Sequence, residues 1–165
     1  VYTWGRNHFG QLGDGTTENS TTPICISDKE NAIKGRKIVR IVAEGSTTVA
    51  LDKNGKVYTW GYNRYGQLGN GTTENSTTPI CISNQEENML KNKKISDIIT
   101  NYDGMIIVLD QDGKIYMRSA YDYITDIGEG RKMYNKNKLI CVSDKENVLK
   151  EKKIVKILLM TKSWE

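Results

Sequence analysis

The sequence predicts an all-β protein, a β-propeller fragment of about three four-stranded blades in which the third blade is degenerate. Three observations predict it. First, the chain repeats itself with a shift of 56 residues, measured from Trp4 to Trp60: VYTWG at residues 1–5 returns at 57–61. GQLGDGTTENSTTPICIS (10–27) likewise returns as GQLGNGTTENSTTPICIS (66–83), with Asp14 against Asn70 as the one difference. Second, the local signals within a repeat are short strands and tight turns. Third, a period in the fifties with about four short strands and glycine-rich connections suits a propeller blade better than a helical or leucine-rich solenoid.

Taken in order, VYTWG is β-branched and aromatic and reads as a strand. A polar loop then leads through Pro23 into ICIS, a second strand. DKENAIKGR (28–36) has a polar start and Gly35 near its end, which allows a helical turn; NQEENMLKNKK (84–94) is its longer counterpart. KIVRIVA (37–43) and STTVALD (46–52) have strand length, and DKNGK (52–56) is a hairpin turn of the Asn-Gly type. The second copy follows, and a third is traceable: DQDGKIY (110–116) matches DKNGKVY (52–58), and CVSDKENVLK (141–150) matches CISDKENAIK (25–34). KIVKI (153–157) copies KIVRI (37–41), but between these anchors Trp60-Gly61 becomes Arg118-Ser119 and GQLG shrinks to Ile127-Gly128. The repeats are therefore 1–56, 57–114 and a degenerate, incomplete third at 115–165. Starting at Val1 inside a strand pattern, without an initiator Met, the chain reads as a piece of a longer one. A partial ring leaves blade faces and strand edges uncovered, so the remaining blades or self-association are expected to cover them.

Composition narrows the function classes. With 37% hydrophobic and 27% charged residues, no run approaches the roughly 20 apolar residues of a membrane helix, and no membrane partner is expected. The net charge of +4 is shared evenly between residues 1–84 and 85–165, and lysines such as Lys91, Lys93 and Lys94 are interleaved with Glu86, Glu87 and Asp97. No clear nucleic-acid surface follows from that pattern. Cys25, Cys81 and Cys141 sit in the same frame (ICIS, ICIS, ICVS), with no second Cys or His at knuckle spacing; they read as buried strand residues, and no metal is expected. Three cysteines that cannot all pair slightly favour a reducing, cytoplasmic compartment, with secretion left open. The sequons at Asn19, Asn70 and Asn75 would matter only in a secreted eukaryotic protein and are equally explained by a solvated loop.

The run V-x-x-W-G-x-N-x-x-G-Q-L-G-x-G, followed by a polar loop, Pro, two strands, G-S-T-T-V-A-L and D-x-N-G, resembles the repeat of the regulator of chromosome condensation family. The resemblance covers nearly the whole chain and is specific over residues 2–23 and 45–79, weaker in the third unit. It implies a seven-bladed propeller in a full protein, of which about three blades are present here. Family repeats often carry His-Thr where this chain has Thr47-Thr48, and the third unit lacks the Trp, the Gln and most of the glycines.

The motif residues read as structural. Gly5, Gly10, Gly13, Gly61, Gly66 and Gly69 suit positive φ or close backbone approach. Trp4 and Trp60 are expected to wedge between blades with the indole N–H on a carbonyl. Gln11, Gln67, Asn7 and Asn63 carry amides able to satisfy the backbone of a turn. The Asp52 and Asp110 turns lack the further ligands of a calcium loop. Binding residues are sought instead where two nearly identical copies differ. WGRNHFGQ and WGYNRYGQ differ at Arg6/Tyr62, His8/Arg64 and Phe9/Tyr65, and the third copy, RSAYDYIT, supplies Tyr121, Asp122 and Tyr123. Aromatic residues and Arg dominate interface hot spots, so these nine form the predicted partner-binding face, with Phe9, Tyr65 and Tyr123 alternatively plugging the blade edge.

No nucleophile with an adjacent base, no phosphate-binding Gly-Lys-Ser/Thr and a single His (His8) argue against an enzyme and against a cofactor. The expected function is a protein-interaction module with a protein partner of unknown identity. Two alternatives come from the resemblance. One is guanine-nucleotide exchange on a small GTPase, by a wedge-like loop; the other is a secreted bacterial propeller that binds or inhibits a protein target.

Overall fold

The structure is a computed structural model and describes residues 1–86, 88–100, 106–118 and 139–141. The described residues contain ten strands: β1 (Tyr2–Gly5), β2 (Ser20–Cys25), β3 (Ile38–Glu44), β4 (Thr47–Asp52), β5 (Val57–Gly61), β6 (Ser76–Cys81), β7 (Ile95–Thr100), β8 (Ile106–Asp110), β9 (Ile115–Arg118) and β10 (Ile140–Cys141). They form a two-stranded sheet, β1-β2, and two four-stranded antiparallel sheets, β3-β4-β5-β6 and β7-β8-β9-β10. This is a partial β-propeller. The predicted helical segments supply turns and one 3-10 turn, Ile82–Asn84, where the chain crosses from one sheet to the next.

Sequence repeat and sheet are out of phase. The sheet β3-β4-β5-β6 takes two strands from residues 1–56 and two from 57–114, because the crossings fall between β2 and β3 and between β6 and β7, whereas the repeat motif begins in mid-sheet. Consecutive repeats are thereby stitched into a common ladder, Thr47 to Leu51 of β4 facing Gly61 to Val57 of β5. β1 pairs on one edge, with β2, while its counterpart β5 pairs on both.

Burial follows position in the stack. β4 and β5 are buried along their whole length, since neighbouring sheets cover both faces. One core gathers Val49, Leu51 and Val57 against Ile98, Ile106 and Val108 of the following sheet; the other packs Tyr58 and Trp60 on Ile26 and Ile33 of the preceding segment. Buried threonines are satisfied: Thr48 Oγ1 donates to Gln11 O at 2.9 Å, and Thr59 Oγ1 to Leu68 O at 2.7 Å. Between sheets, Arg40 Nε donates to Ile98 O at 2.9 Å and meets Asp97 Oδ1 at 3.0 Å.

Each described hairpin of the D-x-x-G type carries the same buried device. Asp52 Oδ1 accepts from Asn54 N and Lys56 N, and Asp52 Oδ2 accepts from Tyr58 OH at 3.0 Å. Asp110 repeats this with Asp112 N, Lys114 N and Tyr116 OH. The aspartates brace turns and strands from inside.

Two sequence expectations need correction. Trp60 is fully buried, but Trp4 is 60% exposed and Tyr2 64% exposed: among the described residues β1 pairs only with β2, and Trp4 has no counterpart of the loop 10–13 on which Trp60 is seated. Cys25 and Cys81 are only half-buried at the ends of outer strands and are free thiols; Cys141 is buried.

Candidate functional site

Strand direction places the connections on two opposite sides. The turns 44–47, 61–66 and 5–10 and the loops entering β2 and β6 share one side, since Thr47 faces Gly61 and Gly61 faces Ser76. The Asp52 hairpin and the crossings between sheets occupy the other.

On the first side, each loop after the Trp-Gly strand is built around a buried asparagine. Asn7 Nδ2 donates to Asp14 Oδ1, Thr16 O and Thr16 Oγ1, while Asn7 Oδ1 accepts from Leu12 N at 2.9 Å. Asn19 Oδ1 accepts from Asn7 N, and Gln11 Oε1 from Phe9 N. The second copy reproduces the set: Asn63 Nδ2 reaches Asn70 Oδ1, Thr72 and Glu74 O; Leu68 N donates to Asn63 Oδ1; Asn75 Oδ1 and Gln67 Oε1 hold Asn63 N and Tyr65 N. All three sequon asparagines thus spend their side-chain carbonyls on the loop backbone, Asn19 on Asn7 N, Asn75 on Asn63 N and Asn70 on Thr72 N. Burial alone would raise the Asp14 pKa, but hydrogen bonds from Thr16 and Asn7, with Lys29 nearby, outweigh it and hold the carboxyl below its usual value.

The loop of the first repeat is also the seat of the next repeat's tryptophan. Trp60 Nε1 donates to Gln11 O at 2.9 Å, and the indole lies so close to Gly13 that a Cβ there would stand 2.6 Å from Nε1. A Cβ on Gly10 would meet Thr77 Cα at 2.6 Å. Only glycine permits these approaches, and both residues have positive φ, +79° at Gly10 and +76° at Gly13. Gly5, Gly61, Gly66 and Gly69 have positive φ as well.

What this scaffold holds outward is an aromatic row. Phe9 and Tyr62 meet edge to face with ring centroids 4.7 Å apart, and Tyr62 meets Tyr65 at 6.1 Å. Such contacts contribute about 0.5–1.5 kcal/mol beyond burial, enough to pre-order the rings. Phe9 is 37% and Tyr65 42% exposed, with Tyr62 half-buried between them. The alternative that Phe9 and Tyr65 plug the blade edge does not match that exposure. His8 and Arg64 are exposed on the same two loops; Arg6 is exposed too, but lines a separate groove beside β1 with Tyr2, Trp4 and Ile41. Glu18 and Glu74 are exposed on the neighbouring loops, so the side carries both signs of charge. Tyr121, Asp122 and Tyr123 lie outside the described residues. Among the described residues, no three His, Cys, Asp or Glu side chains group as a metal ion would require, and no helix is long and apolar enough to cross a membrane.

Reasoning from sequence missed the pairing of Asp52 with Tyr58 and of Asp110 with Tyr116, although an aspartate six residues before a tyrosine in both copies was a visible signal. It also passed over Ile33 and Leu90, fully buried in the crossings, where the surrounding polar residues mask a single core position.

Comparison with known proteins agrees with this architecture. A family model described as regulator of chromosome condensation (RCC1) repeat matches residues 1–51 and 54–99, and a second model of the same description matches 38–67. The E3 ubiquitin-protein ligase HERC2 of Mus musculus is 31% identical over 119 residues, 70% of this chain and 2% of that protein. The ultraviolet-B receptor UVR8 of Arabidopsis thaliana is 40% identical over 79 residues, 48% of this chain and 17% of the receptor. Among solved structures, human WBSCR16 superposes with a TM-score of 0.66 at 19% identity, over 86% of this chain and 34% of its own. Prp20p of Saccharomyces cerevisiae, whose structure was described together with its binding to Gsp1p and histones, gives 0.64 at 22% identity, over 86% and 33%. The chain therefore spans only a small part of these relatives and about a third of these solved propellers.

Proposed function

Because this chain belongs to the regulator of chromosome condensation repeat family, we propose that it is a propeller segment that binds a protein partner through the side bearing Phe9, Tyr62 and Tyr65, flanked by His8 and Arg64. One observation carries the reading. The loops are held by identical asparagine, glutamine and glycine frames in both copies, yet the residues presented on those frames differ and include two exposed rings in edge contact with a third. A scaffold position repeats because packing requires it; an exposed position free to diverge can be fitted to one partner. Arg6 is outside this patch in our reading. The role is one of binding, without catalysis or cofactor, and the free thiols of Cys25 and Cys81 support a reducing, cytoplasmic setting.

The test is comparative affinity capture with quantitative mass spectrometry, using the chain, a Phe9→Ala/Arg64→Ala/Tyr65→Ala variant and a Lys53→Ala variant on the opposite side. The expected result is a partner retained by the chain and by Lys53→Ala and lost from the triple variant, with Lys53→Ala melting like the parent and the triple variant, which gives up both ring contacts, still folded by circular dichroism at the assay temperature. A partner retained by the triple variant and lost from Lys53→Ala would place the contact on the other side. Nucleotide exchange on a small GTPase is a separate reading, supported by the fold shared with Prp20p. Acceleration of nucleotide release from such a GTPase by the chain would favour it over simple binding.

A further inference from the structure

Within the segments 10–27 and 66–83 the two copies differ only at Asp14 and Asn70, and Asn70 precedes Gly71. In an Asn-Gly dipeptide the glycine amide nitrogen can attack the preceding side-chain amide, because no Cβ stands in the way. A second dipeptide, Asn54-Gly55, offers the same chemistry in a different setting. Gly55 N donates to Asp52 O at 3.0 Å, Gly55 O accepts from Ile95 N at 3.1 Å, and a Cβ there would stand 2.6 Å from Lys94 Cγ. That peptide is clamped between its hairpin and the next sheet. Gly71 is not: its N–H has no hydrogen-bond partner among the described residues, whereas the matching Gly15 N donates to Thr77 O at 2.9 Å. Apart from Gly71 itself and its two chain neighbours, nothing among the described residues lies within 4 Å of a Gly71 Cβ position. Asn70 Oδ1 accepts from Asn63 Nδ2, Thr72 N and Thr72 Oγ1 at 3.0–3.1 Å, which draws electrons from the amide carbon, while Asn70 Nδ2 is unpartnered among the described residues.

We propose that Asn70 is a site of spontaneous deamidation, and that its product alters the loop beneath the aromatic row. Gly71 N gives its proton to solvent and bonds to Asn70 Cγ; the bond from Cγ to Nδ2 breaks and ammonia leaves, forming a succinimide. Water then adds to either carbonyl and opens the ring to aspartate or isoaspartate, with no change of oxidation state. The first copy displays what an aspartate needs at this position. Asp14 keeps the equivalent hydrogen bonds from Asn7 and Thr16 and has Lys29 beside it, with Lys29 Nζ on Asp14 O at 2.7 Å. The second copy has Gln85 in place of Lys29, and Gln85 and Glu86 line one hollow with Asn70. A carboxylate formed at residue 70 therefore has a glutamine where Asp14 has Lys29; Glu86, the copy of Glu30, is paired with Lys91 as Glu30 is with Lys34 and does not distinguish the two sites. Isoaspartate lengthens the backbone by one atom and moves the acceptor away from Asn63, which anchors the loop carrying Tyr62, Arg64 and Tyr65.

The purified chain, aged in mildly alkaline buffer, is to be followed by peptide mapping and isoaspartyl methyltransferase labelling, with a parallel sample in urea. In the folded chain Asn70 is expected to convert at least about tenfold faster than Asn54, a difference of about 1.4 kcal/mol in barrier, and in urea the two are expected to converge. Equal rates in the folded chain, or a difference that persists in urea, would overturn the proposal. For the product, Asn70→Asp is expected to lower the melting temperature and Gln85→Lys added to it to restore it. An Asn70→Asp protein as stable as the parent would refute the charge argument.

Discussion

Removing one hydroxyl tests whether the buried aspartate of each hairpin is a structural brace. In Tyr58→Phe the ring remains, and only the donor to Asp52 Oδ2, 3.0 Å away, is lost. Tyr58 and Asp52 are each 1% exposed, so water cannot readily replace the donor. Hydrogen bonds to charged groups contribute about 1.5–3 kcal/mol, and the expected loss is about 2 kcal/mol. Tyr116→Phe should cost a similar amount, because Tyr116 OH meets Asp110 Oδ2 at the same 3.0 Å. Tyr2 is the internal control: it occupies the matching position but lies in the open, and Tyr2→Phe should leave the urea midpoint where the parent has it. Urea denaturation read by far-UV circular dichroism gives all three differences, provided the m-value is unchanged. A neutral Tyr58→Phe, or a Tyr2→Phe as costly as Tyr58→Phe, would refute the reasoning. The same brace predicts alkaline sensitivity. Burial, then the hydrogen bond and charge of Asp52, push the Tyr58 hydroxyl well above its usual pKa. The folded state then holds a proton that the unfolded state releases, so stability is intact below about pH 10 and falls above it. Tyr58→Phe should flatten that fall.

Gly13→Ala places a Cβ 2.6 Å from Trp60 Nε1 at a positive φ, and strain plus displacement of the indole from Gln11 O should cost at least about 2 kcal/mol, read by urea denaturation and tryptophan emission; parental stability would contradict the seating of Trp60. Asp14→Asn removes a carboxyl whose pKa is held below its usual value of about 3.9. The ionised form stabilises the fold above that value and ceases to as pH falls through the lower folded one, so parent and variant should differ at neutral pH and converge in acid; a gap that widens in acid would reverse the sign.

The strands, the repeat and the family were legible because they rest on local signals. VYTWG, the Asp-x-x-Gly turns and the GQLG glycines each state their conformation within a few residues, and the duplication states the period. Phase was harder to see. A motif repeat can be cut anywhere along its length, and only the ladder between β4 and β5 shows that a sheet joins two successive repeats. Exposure was also hidden from the sequence: Trp4 and Trp60 share an identical pentapeptide, and their burial differs through what lies across the strand edge and in the loop 10–13. The candidate face was partly legible. Divergence between copies picked out Phe9, Tyr62, Arg64 and Tyr65, but it also picked out Arg6, which the backbone turns toward the groove at β1. Divergence records freedom from packing, and direction is a property of the backbone.

Frame and face make opposite demands on the same loops. Asn63 can support exposed rings only because its amide saturates five contacts drawn from Leu68, Asn70, Thr72 and Glu74. A substitution in the frame is therefore felt at the face, while one at Arg64 or Tyr65 leaves the frame nearly untouched. Trp60 extends the dependence across repeats, since the loop that presents Phe9 also accepts the indole of the next unit through Gln11 O. Phe9 and Tyr62, from different repeats, can then meet at 4.7 Å only while that indole is seated. Loosening one repeat should thus separate the aromatic row at its junction before any ring is itself altered, which makes the geometry of the face a reporter of cohesion between blades.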